Sequence, residues 1–165
     1  MSKEYTTIVS TVKGLLDAQK AIALSEDLET AVESVKIGQY VPTAAIRKTA
    51  LFVRFERSGA IQSLSGGLSR TERVLLVITC AAFGTSQEIA HDDAVNLLNN
   101  VQRVLANYGR YLNLWNAGRF GWSYSEDEHS PEIMGQVTLE PGTDGTVGHF
   151  KLLWSCDVRI GVEPL

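Results

Sequence analysis

Two cysteines and three histidines are the most reactive side chains that this sequence offers. Both cysteines, Cys80 and Cys156, lie in apolar runs typical of strands, where a free thiol packs as a small hydrophobe. A nucleophilic cysteine would need a nearby histidine and an electropositive setting. The sequence shows no C-x-x-C or H-E-x-x-H motif, and the histidines lack the spacing of metal ligands. We therefore interpret both cysteines as core residues and predict no metal site.

An acidic run is the next candidate, formed by Glu126, Asp127 and Glu128 and followed by His129. Such a run could hold a hard cation loosely, but it lacks the alternating spacing and the glycine of a calcium-binding loop. A solvated acidic loop is the interpretation that we favour. Because the run is the densest negative charge in the chain, it is also a candidate contact with a positively charged partner surface.

The segment 110–130 is irregular and rich in aromatic residues. Its aromatic side chains could line a small-molecule pocket, or they could fill the edge of a core or an interface, which is the more common use: Tyr111, Trp115, Phe120, Trp122 and Tyr124. No phosphate-binding glycine loop and no nucleophile elbow is present. The sequence thus predicts no cofactor and no catalytic site. An enzyme would require a histidine, His91, His129 or His149, to meet a cysteine or a carboxylate in space.

Composition limits the classes of protein that remain. The chain has 165 residues, of which 44% are hydrophobic and 21% charged, as expected for one folded domain. Its formal charge of −4 argues against a dedicated nucleic-acid-binding protein, which needs a basic face. No apolar run is long enough to span a bilayer, and the first residues do not resemble a secretory signal. We expect a soluble cytosolic domain without a membrane partner.

Charge is divided unevenly between the two halves of the chain. Residues 1–82 hold ten Lys and Arg against eight Asp and Glu, a balance of +2. Residues 83–165 hold five against eleven, a balance of −6. Such a division can steer a self-complementary or head-to-tail contact between copies, but an ordinary solvated surface is the interpretation that we favour.

Hydrophobic periodicity predicts an α+β fold in which two main helices pack on a mostly antiparallel sheet. Thr85 with Glu88 forms a capping-box pattern at the start of the longest helix, and Asp144-Gly145 is a strong hairpin signal. The Ser- and Gly-rich stretch 58–70 is predicted to be a flexible hairpin arm. The predicted elements are helices over 4–23, 25–35 and 86–108 and strands over 49–57, 73–82, 133–140 and 149–162.

This order of elements is similar to that of the Mu-like tail-terminator family of tailed bacteriophages and of related tail-completion proteins. The resemblance covers roughly residues 5–162 and depends on apolar patterns, not on catalytic motifs. The segments that carry it are the strand ALFVRF at 50–55, the arm at 58–70, the strand RVLLVIT at 73–79, the helix at 90–108 and the strand at 150–160.

The resemblance implies a sandwich-like α+β subunit without enzymatic activity. Six copies would form a ring that caps the tail tube, ends tube growth and contacts the neck connector. The sheath protein is a further possible partner in contractile tails, and DNA would only pass through the lumen. The implied location is the tail–neck junction of a virion assembled in the host cytoplasm. A head-completion or neck protein and a small-molecule-binding domain are the alternatives.

The arm and the acidic run are the predicted contact surfaces of this subunit. Apolar residues in a flexible arm need a partner surface in order to become ordered, so the arm is long enough and apolar enough to reach a neighbour. The predicted interface residues are Arg57, Ile61, Leu64, Leu68, Arg70, Glu126, Asp127 and Glu128.

Overall fold

Six strands form one sheet, and two helices pack against it, which confirms the predicted α+β class. The structure, a computed structural model, describes residues 3–41, 48–64, 69–108, 120–123, 132–142 and 144–161. The elements are α1 (Lys3–Gln19), β1 (Val32–Ile37), β2 (Thr49–Leu64), β3 (Ser69–Gly84), α2 (Gln87–Tyr108), β4 (Phe120–Ser123), β5 (Glu132–Pro141) and β6 (Thr146–Gly161).

The sheet is antiparallel except at one edge. Its order is β1-β2-β3-β6-β4, and only β1 and β2 run parallel. Strand β3 pairs with β6 along its whole length, so the opposite edge of β6 is shared by two short partners. Strand β5 pairs with β6 between Thr146 and Leu153, and β4 pairs with it between Asp157 and Ile160.

Both helices cover the same face of the sheet, and the main core lies between them and that face. Alternate residues of β2, β3 and β6 point toward the helices, as the period of a strand requires. The sheet side of this core contains Leu51, Val53, Val74, Leu76, Ile78, Cys80, Phe150, Leu152 and Trp154.

The predicted second helix at 25–35 is wrong, because this segment contains a turn followed by β1. An extra residue at Glu33 bulges between the β1–β2 pairs, which places Val32 and Val35 on the same buried side. A spacing of three residues resembles helical periodicity, and the bulge produces it within a strand. The preceding turn is held by α2, where the Asn100 amide donates hydrogen bonds to backbone carbonyls of Leu24 and Glu26 at 3.1 and 2.8 Å.

Helix α2 begins with a different cap from the predicted Thr85–Glu88 box. The Ser86 hydroxyl accepts the backbone N–H of Ile89 at 3.2 Å, as an N-cap does. Thr85 instead donates its N–H and its hydroxyl to the Glu29 carboxylate, both at 2.9 Å. Thr85 therefore bonds to the carboxylate of Glu29, which is distant in sequence, and does not cap α2 as the local pattern predicted.

Asp93 on α2 is buried, with 6% of its surface exposed, and it accepts the backbone N–H of Glu29 at 2.8 Å. Burial raises the pKa of the Asp93 carboxyl above its ordinary value, and the nearby Glu29 and Asp92 carboxylates add to the rise. The hydrogen bond from the Glu29 backbone acts in the opposite direction. Keeping Asp93 charged in the folded state therefore lowers the stability of the fold.

We expect Asp93→Asn to be more stable than the wild type at neutral pH, because the amide keeps an acceptor oxygen and removes the buried charge. The folded state binds the Asp93 proton more tightly than the unfolded state does. The contribution of Asp93 to the free energy of unfolding of the wild type therefore falls as pH rises from the ordinary pKa of 3.8 through the raised pKa of the folded state. Thermal melts of both proteins across this acidic range should show the advantage of the variant disappear as pH falls. A difference that is independent of pH would contradict the assignment.

Candidate subunit interface

Strands β2 and β3 form a hairpin that continues far beyond the predicted strand ends. The sequence places those ends at Arg57 and Arg73, but pairing continues to Leu64 opposite Ser69. Serine and glycine have low strand propensity, which is why 58–70 was predicted as a flexible arm. Strand β6 pairs with β3 as far as Ser69 opposite Gly161, so each β3 residue here has a partner on both sides. Backbone pairing of β3 with both β2 and β6 outweighs the low strand propensity of the serines and glycines.

The predicted interface residues divide between this hairpin and parts that the structure does not describe. Arg57 lies exposed on β2, opposite Leu75. Three more belong to the paired strands by their backbone, while their side chains lie outside the described part: Ile61, Leu64 and Arg70. The remaining four lie outside the described residues: Leu68, Glu126, Asp127 and Glu128.

A buried carboxylate fixes the root of the hairpin to α1. Glu72 on β3 is 5% exposed and accepts hydrogen bonds from the Tyr5 hydroxyl and, at 2.8 Å, from the Ser58 hydroxyl. The Tyr5 ring also packs on Phe55, with ring centroids 5.1 Å apart. A buried carboxylate needs such donors to offset its desolvation. Sequence reasoning missed Glu72, because its α1 partner lies 67 positions away in the chain.

The hairpin and its neighbours extend the sheet past this root. From the Ser58–Val74 pair to the Leu64–Ser69 pair the hairpin spans roughly 20 Å, at about 3.3 Å per residue. We call this part the distal sheet: residues 57–64 of β2, 69–75 of β3, 155–161 of β6 and β4, Phe120–Ser123. Strand β4 lies inside the segment 110–130, which the sequence predicted to be irregular; the other residues of that segment lie outside the described part.

Both sides of the distal sheet end in a strand edge. Strand β1 pairs with β2 only between Thr49 and Val53, so in the described part of the chain β2 has one neighbour from Arg54 onward. On the other side, β4 pairs with β6 and with no second described strand. An unpaired edge presents a row of backbone N–H and C=O groups and can pair with a strand of another chain.

The β2 edge also carries features that restrict unspecific pairing. Register shifts after Phe55 and after Ala60 mark two bulges, which bend the strand and increase its twist. Near the first bulge, the Arg54 guanidinium forms an ion pair with Glu56, and Arg57 is exposed. Charged residues and bulges are the usual means by which edge strands avoid pairing with other chains, so a partner strand must match both the bulges and the charges of this edge.

The helix-free face of the sheet holds a small cluster around Tyr40. The ring of Tyr40 packs on His149 and Phe52, with centroids 4.7 and 5.4 Å away. His149 Nε2 lies 2.9 Å from Glu140 Oε1, and the Tyr40 hydroxyl donates to the other oxygen of Glu140 at 3.4 Å. Ala81 and Val147 complete the cluster with apolar contact. The structure thus brings a histidine and a carboxylate together, which the sequence spacing did not suggest.

The contacts of this cluster hold neighbouring parts of the sheet together. Burial and the Glu140 carboxylate raise the pKa of the Tyr40 phenol well above its ordinary value, so the phenol stays protonated near neutral pH. The buried thiol of Cys80, whose pKa is also raised by burial, faces the helices across the sheet from His149. The cluster joins the segment after β1 to β5 and β6 on this face.

Within the described part of the chain, the remaining candidates from the sequence add no further site. Among the described residues, no three His, Cys, Asp or Glu side chains lie close enough to hold a metal ion together. None of the described helices has the length and apolar character needed to cross a bilayer. The aromatic pocket considered for 110–130 depends on Trp115 and on the side chain of Trp122, which lie outside the described part of the chain.

Comparison with known proteins gives no match: no protein-family model fits the sequence, and no curated protein is significantly similar to it.

Proposed function

We propose that this protein is a structural subunit of a phage-like virion, a tail terminator that forms a ring on the end of the tail tube. The observation that carries the proposal is the distal sheet, which continues past the contact of Glu72 with α1 and has, among the described residues, an unpaired strand edge on each side. A subunit with two different free edges can bind a copy of itself through each edge. Heterologous contacts of this kind close into rings when the rotation between copies permits it.

Two other features support an assembly role. The hairpin is fixed at its root by a buried carboxylate, so it projects in a defined direction from the helix-covered core. The resemblance in element order to tail terminators supplies the specific assembly: a hexamer that contacts tube subunits on one side and the neck connector on the other. The acidic balance of the chain is compatible with a lumen through which DNA passes without binding.

The test begins with the mass of the purified full chain in solution and continues with negative-stain imaging in the presence of tail tubes from the same virus. We expect sixfold rings, or extra density at one end of each tube together with an end to tube growth. Connector rings serve as the comparison sample. Binding to connector rings but not to tubes would replace the proposal with a neck protein. A monomer that binds neither would reject an assembly role at this junction.

A further inference from the structure

The two edges of the distal sheet are suited to each other in strand direction. Each neighbouring pair from β2 through β3 and β6 to β4 is antiparallel, so β2 and β4 run in opposite directions. If a second copy continues the sheet with its β4 beside β2, the new pair is again antiparallel. The alternation of strand directions is therefore preserved across the junction, and antiparallel pairing can form along it.

Charge favours the same arrangement over pairing of two identical edges. Strands β1, β2 and β3 together hold five Lys and Arg against three Asp and Glu, whereas β5 and β6 hold two against three and β4 holds no charged residue. The β2 side of the sheet is thus basic on balance and the β4 side slightly acidic. Contact between unlike sides is attractive at long range, whereas contact between two like sides is not.

We propose that copies of this chain associate head to tail by pairing the β2 edge of one subunit, at residues 57–64, with the β4 edge of the next. The distal sheets then form one continuous sheet around the ring. This inference rests on the proposed ring and specifies which surfaces form it. The partner is a second copy of the chain, because the two edges, each without a second strand among the described residues, are complementary in direction, and the sides of the sheet to which they belong differ in the sign of their net charge.

The register of the sheet identifies positions at which this pairing can be trapped. Gly59 pairs with Arg73, Arg73 with Asp157, and Asp157 with Ser123, so Gly59 and Ser123 end the same row of residues at the two edges. Gly59 is exposed, and a Cβ built there meets no atom within 4 Å. A cysteine at position 59 can therefore be introduced without displacing neighbouring groups.

The experiment is disulfide trapping in the full chain, with both native cysteines changed to alanine. Gly59→Cys and Ser63→Cys are each mixed with single cysteines at the four β4 positions, 120–123, and oxidised. We expect a covalent dimer in mixtures of a β2 variant with a β4 variant, and a ladder reaching the hexamer when Gly59→Cys and Ser123→Cys are in the same chain. Gly14→Cys is the matched control, since Gly14 on α1 is also exposed with open space around it. It should give no dimer with any β4 cysteine.

Three results would overturn the edge assignment and separate it from the proposed function. A dimer of Gly59→Cys with itself would show that two β2 edges pair around a twofold axis. Rings seen by imaging without any covalent dimer between β2 and β4 variants would keep the ring but place its contacts elsewhere. A chain that is monomeric at all concentrations, forms no covalent dimer and leaves tubes uncapped would reject the pairing and the proposed function together.

Discussion

Replacing residues 61–71 with an Asn-Gly turn is expected to weaken ring assembly by about a hundredfold or more, or about 3 kcal/mol, while the subunit stays folded. The replacement joins Ala60 to Glu72, which are directly paired in the hairpin. Asn-Gly is the preferred loop between directly paired strand residues. The shortened hairpin loses residues 61–64, half of the β2 edge through which we expect copies to associate, and all of the hairpin beyond Ala60 and Glu72. It keeps Glu72 together with its hydrogen bonds to Tyr5 and Ser58, so the contact with α1 remains.

Analytical ultracentrifugation and imaging with tail tubes would measure this loss, and a thermal melt would verify the fold. Gly14→Ala is the control, because it changes an exposed helix position with open space and should raise stability by up to about 1 kcal/mol. Its assembly should equal that of the wild type. A shortened chain that forms normal rings would show that the distal hairpin is not the contact surface. A shortened chain that fails to melt cooperatively would show that the hairpin is part of the folding core.

The helices and the central strands were predictable because their periodicity is set by one buried face. Helix α2 has an apolar stripe along its whole length, and the structure starts it within a residue of the predicted position. Strands β5 and β6 were likewise found, together with the turn between them, where the Gly142 N–H donates to the Gly145 carbonyl at 2.7 Å. In each case the local pattern and the tertiary packing favour the same structure.

The parts that were missed depend on partners distant in sequence. Strand β1 was missed, and its first residues were assigned to a helix over 25–35, because Ser25 with Leu28 and Glu29 resembles a helix start and the bulge spaces two buried valines three residues apart. The hairpin was predicted as a loop because its strands are held by β6, which follows much later in the chain. The sequence around Glu72 predicts an ordinary surface residue, and only the folded structure places Tyr5 beside it. The hairpin and Glu72 belong to the candidate interface, so its geometry could not be predicted from the sequence alone.

Substituting valine for Gly148 is expected to lower the free energy of unfolding by about 3 kcal/mol, at the upper end of the usual cost of overpacking. Gly148 lies on β6 directly beneath α2. A Cβ at this position would lie 2.6 Å from the carbonyl oxygen of Ala90 and 3.0 Å from its carbonyl carbon. The obstacle is helix backbone, which cannot rotate away as the end of a side chain can. Relief requires α2 to move off the sheet, which would open the contacts of Leu97 and Val101 in the core.

Gly59→Val is the matched control for this substitution, because both positions are strand glycines but only Gly148 is covered by a helix. Valine at position 59 should change stability by no more than about 0.5 kcal/mol, since surface strand positions with open space tolerate side chains. Urea unfolding followed by circular dichroism would give both values. If Gly148→Val unfolds at the same urea concentration as the wild type, then α2 is not seated on β6 as the structure describes. The pair of substitutions therefore tests directly whether α2 packs on β6 at Gly148.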